Sequence, residues 1–218
     1  MMILYAQKKG GVGKTTLAVH HAVHLFDLGY SVAVLDADEQ RQAAEWVTEA
    51  ESNITIAAVT DADDAYLAAQ ELSGRHDYTI IDGPATLGEA TRALMTLTDL
   101  ALIPMGPSIL DLRSTDKMER IIRTSRQISG KPTQAAIVLN KARQRTRLTR
   151  ETIAAATELG LEVLATRVRD LQAFPDAAQQ GSVVTRLTKH SLGNHRAQSD
   201  LEQLFAELHV PIPEVAHG

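Results

Sequence analysis

Residues 8–16 read Lys-Lys-Gly-Gly-Val-Gly-Lys-Thr-Thr, and this stretch decides the fold. It follows an apolar run at 2–6 and precedes a helix-like stretch at 17–28. A glycine-rich turn between a strand and a helix can direct backbone N–H groups and the positive end of the helix dipole at one anion. The stretch therefore predicts a phosphate-binding loop.

The residue types in this loop suit a nucleoside triphosphate. Gly10, Gly11 and Gly13 let the backbone approach an anion closely. Lys14 can reach the β- and γ-phosphates, and the Thr15 hydroxyl can hold Mg²⁺. The candidate ATP-binding residues of the loop are Lys9, Gly10, Gly11, Val12, Gly13, Lys14, Thr15 and Thr16.

Two lysines precede the glycines, and they depart from the common loop pattern. The pattern G-x-x-x-x-G-K-[ST] would place glycine at position 8, where this chain has Lys8 followed by Lys9. This arrangement resembles the deviant Walker A loop of the ParA/MinD superfamily of ATPases. The resemblance implies that Lys9 crosses to the nucleotide of the partner subunit in an ATP-bound homodimer. Lys9 and Lys14 are thus both predicted catalytic residues.

Strand-like runs alternate with helix-like runs along the chain. The predicted strands cover 2–7, 31–35, 54–59, 78–82, 100–104, 134–139 and 162–167. The predicted helices cover 14–28, 40–51, 62–74, 87–97, 109–129, 146–160, 170–180 and 194–208. Most strand-like runs are continuously apolar, as in strands buried on both faces. We expect an α/β fold, a doubly wound, mostly parallel sheet with helices on both faces, as a single domain over 1–218 with an irregular tail at about 209–218.

Carboxylates follow two of the predicted strands. Asp36 and Asp38 follow the second strand and Asp82 ends the fourth, so the expected sheet places them at the edge that carries the loop. Elsewhere such residues usually serve as turn or cap residues. Here both segments resemble ParA-type switch regions, which implies that Asp38 orients the attacking water and that Asp36 and Asp82 support Mg²⁺, the carboxylates acting through water. The family usually has proline where this chain has Glu39, but Gln40 is kept.

The same resemblance implies an adenine pocket. Asn140 ends the sixth predicted strand, and its amide offers a base both a donor and an acceptor. A lone asparagine there would more often be a turn residue. The segment 174–184, which contains Pro175, resembles the late loop that completes the base pocket in the family.

Composition excludes several classes of protein. The chain has no cysteine, which excludes disulfides, thiolate metal sites and iron–sulfur clusters, including those of nitrogenase-type iron proteins that share the deviant loop. No apolar stretch reaches the roughly 18 residues that a membrane span needs, and no signal peptide precedes the first strand. We expect a cytoplasmic, nucleoid-associated protein.

Charge is distributed unevenly over a chain whose net charge is −5. Residues 1–108 hold 6 Lys and Arg against 15 Asp and Glu, and residues 109–218 hold 16 against 12. Basic clusters lie at 113–126, 141–150 and 186–196. Solvated helix faces are the ordinary explanation, but the last cluster resembles the region with which ParA proteins hold DNA without sequence preference. The candidate DNA-binding residues are Arg143, Arg145, Arg147, Arg186, Lys189 and Arg196.

The chain termini bear on the choice of partner. Pro211 and Pro213 prevent a basic amphipathic helix at the C-terminus, which favours DNA over a membrane. The sequence begins at its first predicted strand, and we expect no helix-turn-helix extension, since the chain resembles the short, single-domain branch of the ParA proteins.

Four functions remain in order of preference. The first is a ParA-type ATPase that segregates plasmid or chromosomal DNA, using ATP-driven dimerisation, nonspecific DNA binding and hydrolysis stimulated by a ParB-type or analogous small adaptor. The second is the same cycle applied to a protein cargo such as carboxysomes or chemoreceptor clusters. A metabolic P-loop enzyme of the dethiobiotin synthetase kind is disfavoured by Lys9 and Asp38. A nucleotide-binding regulator without activity is disfavoured by the intact Lys14, Asp38 and Asp82.

Overall fold

The computed structural model of the chain describes residues 1–106, 109–142, 153–154, 156–157, 160–187 and 192–208, and at 109–115 and 192 it describes the backbone only. Four candidate DNA contacts lie outside the described residues, namely Arg143, Arg145, Arg147 and Lys189. Most of the helix predicted at 146–160 and the tail predicted at about 209–218 also lie outside them.

Seven strands form one sheet in the described part of the chain, and each neighbouring pair is parallel. The strands are β1 (Met2–Tyr5), β2 (Val32–Asp36), β3 (Thr55–Ala58), β4 (Tyr78–Asp82), β5 (Leu100–Met105), β6 (Gln134–Ala142) and β7 (Glu162–Arg169). Their order across the sheet is β3-β2-β4-β1-β5-β6-β7. Parallel neighbours require crossover connections, which helices supply, and the predicted doubly wound α/β fold is confirmed.

The helices occupy the predicted intervals with small shifts at their ends. They are α1 (Lys14–Asp27), α2 (Gln42–Ala50), α3 (Ala62–Ser73), α4 (Glu89–Leu97), α5 (Ile109–Ser129), α6 (Ala173–Gln179) and α7 (Leu192–Leu208), with a 3₁₀ helix at Val184–Arg186. The 3₁₀ helix is an element that the sequence does not predict.

Helix α2 begins at Gln42, later than the predicted residue 40. Asp38 Oδ1 accepts a hydrogen bond from the Gln40 N–H at 3.0 Å, and the Asp38 carbonyl accepts one from the Arg41 N–H at 3.1 Å. Arg41 then adopts a left-handed φ of +52°. The Asp38 side chain therefore closes a turn that competes with helix formation at these residues.

Helices cover both faces of the sheet, and each face has its own apolar core. Along β1, Ile3 and Tyr5 belong to the core that contains residues of α1, α2, α6 and α7. Met2 and Leu4 belong to the opposite core, with residues of α3, α4 and α5. This alternation is the two-residue period of a strand that is buried on both faces.

The strand register aligns the carboxyl ends of β1, β2 and β4. Asp82 pairs with Tyr5 on one side and with Asp36 on the other. The phosphate-loop segment leaves the end of β1, so it starts between the ends of β4 and β5. The loop and both acidic segments therefore meet at one edge of the sheet, which is the usual ligand-binding edge of an open α/β fold.

Candidate active site

The loop at 8–16 ends in a left-handed turn that starts α1. Gly11 and Gly13 have φ values of +71° and +92°, a region that side chains rarely adopt. The Gly13 carbonyl accepts the first helical hydrogen bond from the Leu17 N–H at 3.0 Å. Among the residues that the structure describes, no side chain caps the amino end of α1, and its first turn contains no acidic residue. The positive end of this helix therefore faces the loop.

Thr15 and Asp82 form the most direct contact between the loop and the sheet edge. The Thr15 hydroxyl donates a hydrogen bond to Asp82 Oδ2 at 2.6 Å. The second carboxylate oxygen, Oδ1, is buried and has no hydrogen-bond partner among the described residues. Burial raises the pKa of Asp82 to about 7, and the Thr15 hydrogen bond partly opposes this rise. A hydroxyl and an unpaired carboxylate oxygen are hard donors that fit Mg²⁺.

Three other charges act on Asp82. The charges of Asp36 and Asp38 raise its pKa, whereas that of Lys14 lowers it, after the larger effects of burial and the Thr15 bond. Lys14 is only 8% exposed. The structure thus brings together the loop lysine and three predicted acidic residues in one electrostatically coupled group.

Asp36 anchors the segment that follows β2. Its Oδ1 accepts the Asp38 N–H at 3.0 Å, and its Oδ2 accepts the Ala44 N–H at 2.9 Å. The side chain is buried, and burial raises its pKa. Asp36 therefore holds the Asp38 turn against the first turn of α2, a contact that the sequence does not predict. Its support of Mg²⁺ stays a prediction.

Asp38 and Lys9 lie at more accessible positions of the site. Asp38 is half-buried, and its backbone is fixed by the contacts to Asp36, Gln40 and Arg41 described above. Lys9 is exposed. Both positions permit contact with molecules outside the protein core.

A cavity of about 360 Å³ lies beside the loop. It brings together the predicted base-binding residues Asn140 and Pro175 with Thr16 of the loop. This volume falls in the range of small-molecule sites. The remaining lining residues are Lys141, Arg169, Asp170, Leu171, Gln172, Phe174 and Ala178.

Asn140 has a second contact that the sequence does not predict. Its Nδ2 donates a hydrogen bond to the Val12 carbonyl at 2.7 Å. A Cβ added at Gly13 would collide with this same amide. Asn140 therefore braces the phosphate loop in addition to lining the cavity, and Gly13 is required for both the left-handed turn and the close approach.

Two candidate DNA contacts lie within the described residues. Arg196 is exposed on α7. Arg186, in contrast, forms ion pairs with Asp27 and Glu51 and donates a hydrogen bond from Nη1 to the Ala50 carbonyl at 2.7 Å. These contacts join the 3₁₀ helix to the ends of α1 and α2, so the Arg186 guanidinium already holds protein partners.

His20 is a buried residue beside the site that the sequence does not single out. Its Nδ1 lies 2.7 Å from the Thr16 carbonyl, and its Nε2 accepts the Val184 N–H at 3.1 Å. Its ring contacts Trp46 and Phe174 edge to face. Burial lowers the pKa of His20 to about 4, and the hydrogen bond to Thr16 acts in the opposite direction. A histidine on an apolar helix face gives no sequence signal for such contacts.

None of the helices in the described part of the chain combines the length and apolar character needed to cross a membrane.

Comparison with known proteins agrees with this geometry. Residues 3–184 match the family described as the CobQ/CobB/MinD/ParA nucleotide binding domain. The chain is 33% identical over 208 residues to maintenance of carboxysome distribution protein A of Halothiobacillus neapolitanus, covering 93% of this chain and 94% of the relative. It is 26% identical over 214 residues to the protein ParA of Rhizobium radiobacter, covering 94% of each chain. A solved complex of a Cyanothece McdA variant with ATP has the same fold, with a TM-score of 0.73, 18% identity and 97% coverage of both chains.

Proposed function

Because the chain belongs to the CobQ/CobB/MinD/ParA nucleotide-binding family, we propose that it is an ATPase whose ATP-bound form is a homodimer that binds DNA without sequence preference. The observation that carries the ATPase proposal is the contact between Thr15 and Asp82, which leaves a buried carboxylate oxygen unpaired among the described residues. A buried, unpaired carboxylate oxygen is costly, and a cation held together with a phosphate group would compensate for it.

The loop and α1 supply what a triphosphate requires. The backbone amides of 10–13 and the amino end of α1 would bind the phosphate oxygens. Lys14 adds a positive charge from a nearly buried position, where it is weakly screened. Thr15 and Asp82 would hold Mg²⁺, which when bound neutralises charge on the β- and γ-phosphates.

Hydrolysis at this site would depend on alignment of a water molecule. Phosphoryl transfer to water needs positioning and charge neutralisation more than a nucleophilic side chain. We assign the alignment to Asp38, because its backbone is anchored on Asp36, its side chain is half-buried, and its charge acts on Asp82, which contacts Thr15 of the loop. The exposed Lys9 would reach the nucleotide of the partner subunit, as the deviant loop implies.

The cavity beside the loop is proposed to bind the adenine base and ribose. Thr16 belongs to both the loop and the cavity wall, so one ligand can occupy both. Asn140 offers an amide to the base while it supports the Val12 carbonyl. Pro175 and Phe174 would supply apolar surface to the base.

For the cargo we propose a protein assembly, such as a carboxysome, in preference to a DNA replicon. The relative named for carboxysome distribution shares 33% of its residues with this chain, whereas the relative named ParA shares 26% over a similar length. Because the chain is also similar to the relative named ParA, plasmid or chromosome segregation is the alternative. In either case a small adaptor protein would stimulate hydrolysis.

Of the two described DNA-contact candidates, we favour Arg196 over Arg186. Arg196 is exposed and accessible to a phosphate backbone. Arg186 is engaged with Asp27 and Glu51, and a DNA phosphate would have to replace these carboxylates. Arg143, Arg145, Arg147 and Lys189 remain candidates by sequence.

ATP turnover of the purified chain tests the ATPase proposal. We expect Mg²⁺-dependent phosphate release and, with ATP, DNA binding that weakens steeply as salt increases. Lys14→Ala should abolish ATP binding, whereas Lys117→Ala, a change at an exposed lysine of α5, should leave it unchanged. Absence of ATP binding by the wild-type chain would refute the proposal.

Deletion of the gene in the native host, with fluorescent fusions that mark protein compartments and replicons, distinguishes the two cargoes. We expect deletion of the gene to cluster or mislocalise protein compartments while resident plasmids and chromosomes are inherited normally. Loss of a replicon with normally spaced compartments would favour segregation instead.

A further inference from the structure

The hydrogen bonds of His20 define one tautomer. The Thr16 carbonyl can only accept, so the nitrogen 2.7 Å away, Nδ1, carries the proton and donates. The Val184 N–H can only donate, so Nε2 is the unprotonated acceptor at 3.1 Å. A neutral ring satisfies both contacts at once, and the burial of His20 favours that neutral form.

The same ring makes edge-to-face contacts with two aromatic side chains. Phe174, which lines the cavity beside the loop, lies 5.6 Å from His20 between ring centroids at an interplanar angle of 71°. Trp46 of α2 lies 5.5 Å away at 88°. The Trp46 indole N–H donates in turn to the Ser182 carbonyl at 2.8 Å. His20 thus contacts the cavity wall directly. It is also linked to the segment 182–184, both by its own bond to Val184 and through Trp46, which bonds to Ser182.

One of these contacts ties the ring to the first turn of α1. Thr16 lines the cavity, and its carbonyl accepts the His20 bond one helical turn further on. The imidazole ring therefore contacts both the Thr16 carbonyl and Phe174 of the cavity wall. The phosphate loop at 10–13 takes no part in these contacts, since its left-handed glycines and the Asn140 bond determine its shape.

We propose that His20 is a positioning residue for the nucleoside half of the ligand, and that it fixes the Phe174 wall and the segment 182–184 against the first turn of α1. The inference rests on the proposed binding of ATP. Removing both ring hydrogen bonds should loosen the base side of the cavity while the phosphate loop keeps its shape. The affinity for ATP then falls, whereas the affinity for inorganic tripolyphosphate, which has no base, does not.

Calorimetric titration of three His20 variants with ATP and with tripolyphosphate, both with Mg²⁺, tests the proposal. His20→Leu removes both bonds and should weaken ATP binding about tenfold, the effect of losing one to two buried hydrogen bonds, without changing tripolyphosphate binding. In His20→Gln the side-chain amide oxygen can replace Nε2 as the acceptor of the Val184 N–H, so this variant should recover part of the ATP affinity. In His20→Asn the shorter amide can reach only the Thr16 carbonyl, so this variant should not recover it. His24→Leu is the control, because His24 lies on the same helix but packs on Phe205.

The outcomes separate the inference from the proposed function. Failure of the wild-type chain to bind ATP overturns the proposed function. Normal ATP binding by the wild type, with an unchanged ratio of ATP to tripolyphosphate affinity in His20→Leu, overturns the inference alone. A parallel loss of both affinities also overturns it, because that pattern reports general damage. If His20→Leu does not fold, the comparison of His20→Gln with His20→Asn decides, and equal ATP affinities of these two variants overturn the inference.

Discussion

Acidification should destabilise this protein specifically through His20. The ring is buried in its neutral form, so the folded state resists protonation while the unfolded state does not. Burial lowers the pKa of His20 from 6.5 to about 4. Above pH 6.5 both states hold a neutral ring, and His20 contributes no pH dependence. Below pH 6.5 the unfolded state binds the additional proton, so the free energy of unfolding decreases until the folded state also becomes protonated near pH 4.

The size of the loss follows from the two pKa values. A difference of one pKa unit corresponds to about 1.4 kcal/mol. With the values above, His20 lowers the free energy of unfolding by about 2 kcal/mol at pH 5 and about 3 kcal/mol at pH 4. These losses are a large fraction of the 5–15 kcal/mol typical of a folded domain.

Other groups titrate in the same range, so the measurement must be a difference between two proteins. Burial raises the pKa values of Asp36 and Asp82, and their contribution has the opposite sign. Since these groups are common to both proteins, they cancel when wild type is compared with His20→Gln, which has no titratable group at residue 20. The chain contains one tryptophan, Trp46, which contacts His20, so its fluorescence can report urea unfolding in both proteins.

The expected result is a stability difference that depends on pH in one direction. Relative to His20→Gln, wild type should lose about 2 kcal/mol between pH 7 and pH 5. A difference that stays constant over this range would refute the reasoning, because it would mean that the folded protein accepts the proton as readily as the unfolded chain. As a control for two-state unfolding, the m value, which is the slope of the unfolding free energy against urea concentration, should be the same in both proteins at each pH.

Three further outcomes are expected. Asp38→Ala should keep ATP binding and ATP-dependent dimerisation but lower phosphate release by about 100-fold or more, and normal turnover would remove Asp38 from the water-aligning role. Gly13→Ala should lower the free energy of unfolding in urea by about 1–3 kcal/mol, because φ is +92° and the new Cβ meets Asn140. Gly10→Ala, with open space around it, is the control, and equal losses would contradict the argument. Arg196→Ala should reduce the salt dependence of DNA binding by about one counterion. Arg186→Ala should instead mainly cost stability, by about 1 kcal/mol, because the partly exposed ion pairs to Asp27 and Glu51 are lost. A change in DNA binding by Arg186→Ala alone would reverse the assignment of these two arginines.

The sequence predicts the fold because its signals are local. Apolar runs at the strands, glycines at helix ends and the loop at 8–16 are each readable within a few residues. Once the sheet is parallel, its carboxyl ends collect the residues that follow each strand. The meeting of Thr15, Asp36 and Asp82 then follows from the register, in which Asp82 pairs with Asp36.

The partners chosen by individual side chains are not readable in the same way. His20 and Val184 are 164 residues apart, and Asn140 and Val12 are 128 residues apart. Arg186 belongs to a basic stretch in the sequence, yet its partner Asp27 lies 159 residues away. Such pairs depend on how distant elements pack together, namely α1 with the 3₁₀ helix and the phosphate loop with β6, which no local pattern encodes.

The same packing determines how the segment 182–186 is held. Three sets of contacts join the segment 182–186 to the body of the protein: Ser182 to Trp46, Val184 to His20, and Arg186 to Asp27 and Glu51. Two of these sets end on α2 or on the residue that follows it, and the first turn of α2 is itself held by Asp36. Phe174 of the cavity wall contacts His20, and His20 contacts Trp46 of α2. A base that displaces Phe174 would therefore act on α2, whose amino end adjoins the Asp38 turn. If the cavity binds the base as proposed, we expect base contacts and water alignment to be connected through α2, because Trp46 contacts His20 and the first turn of the helix is held by Asp36.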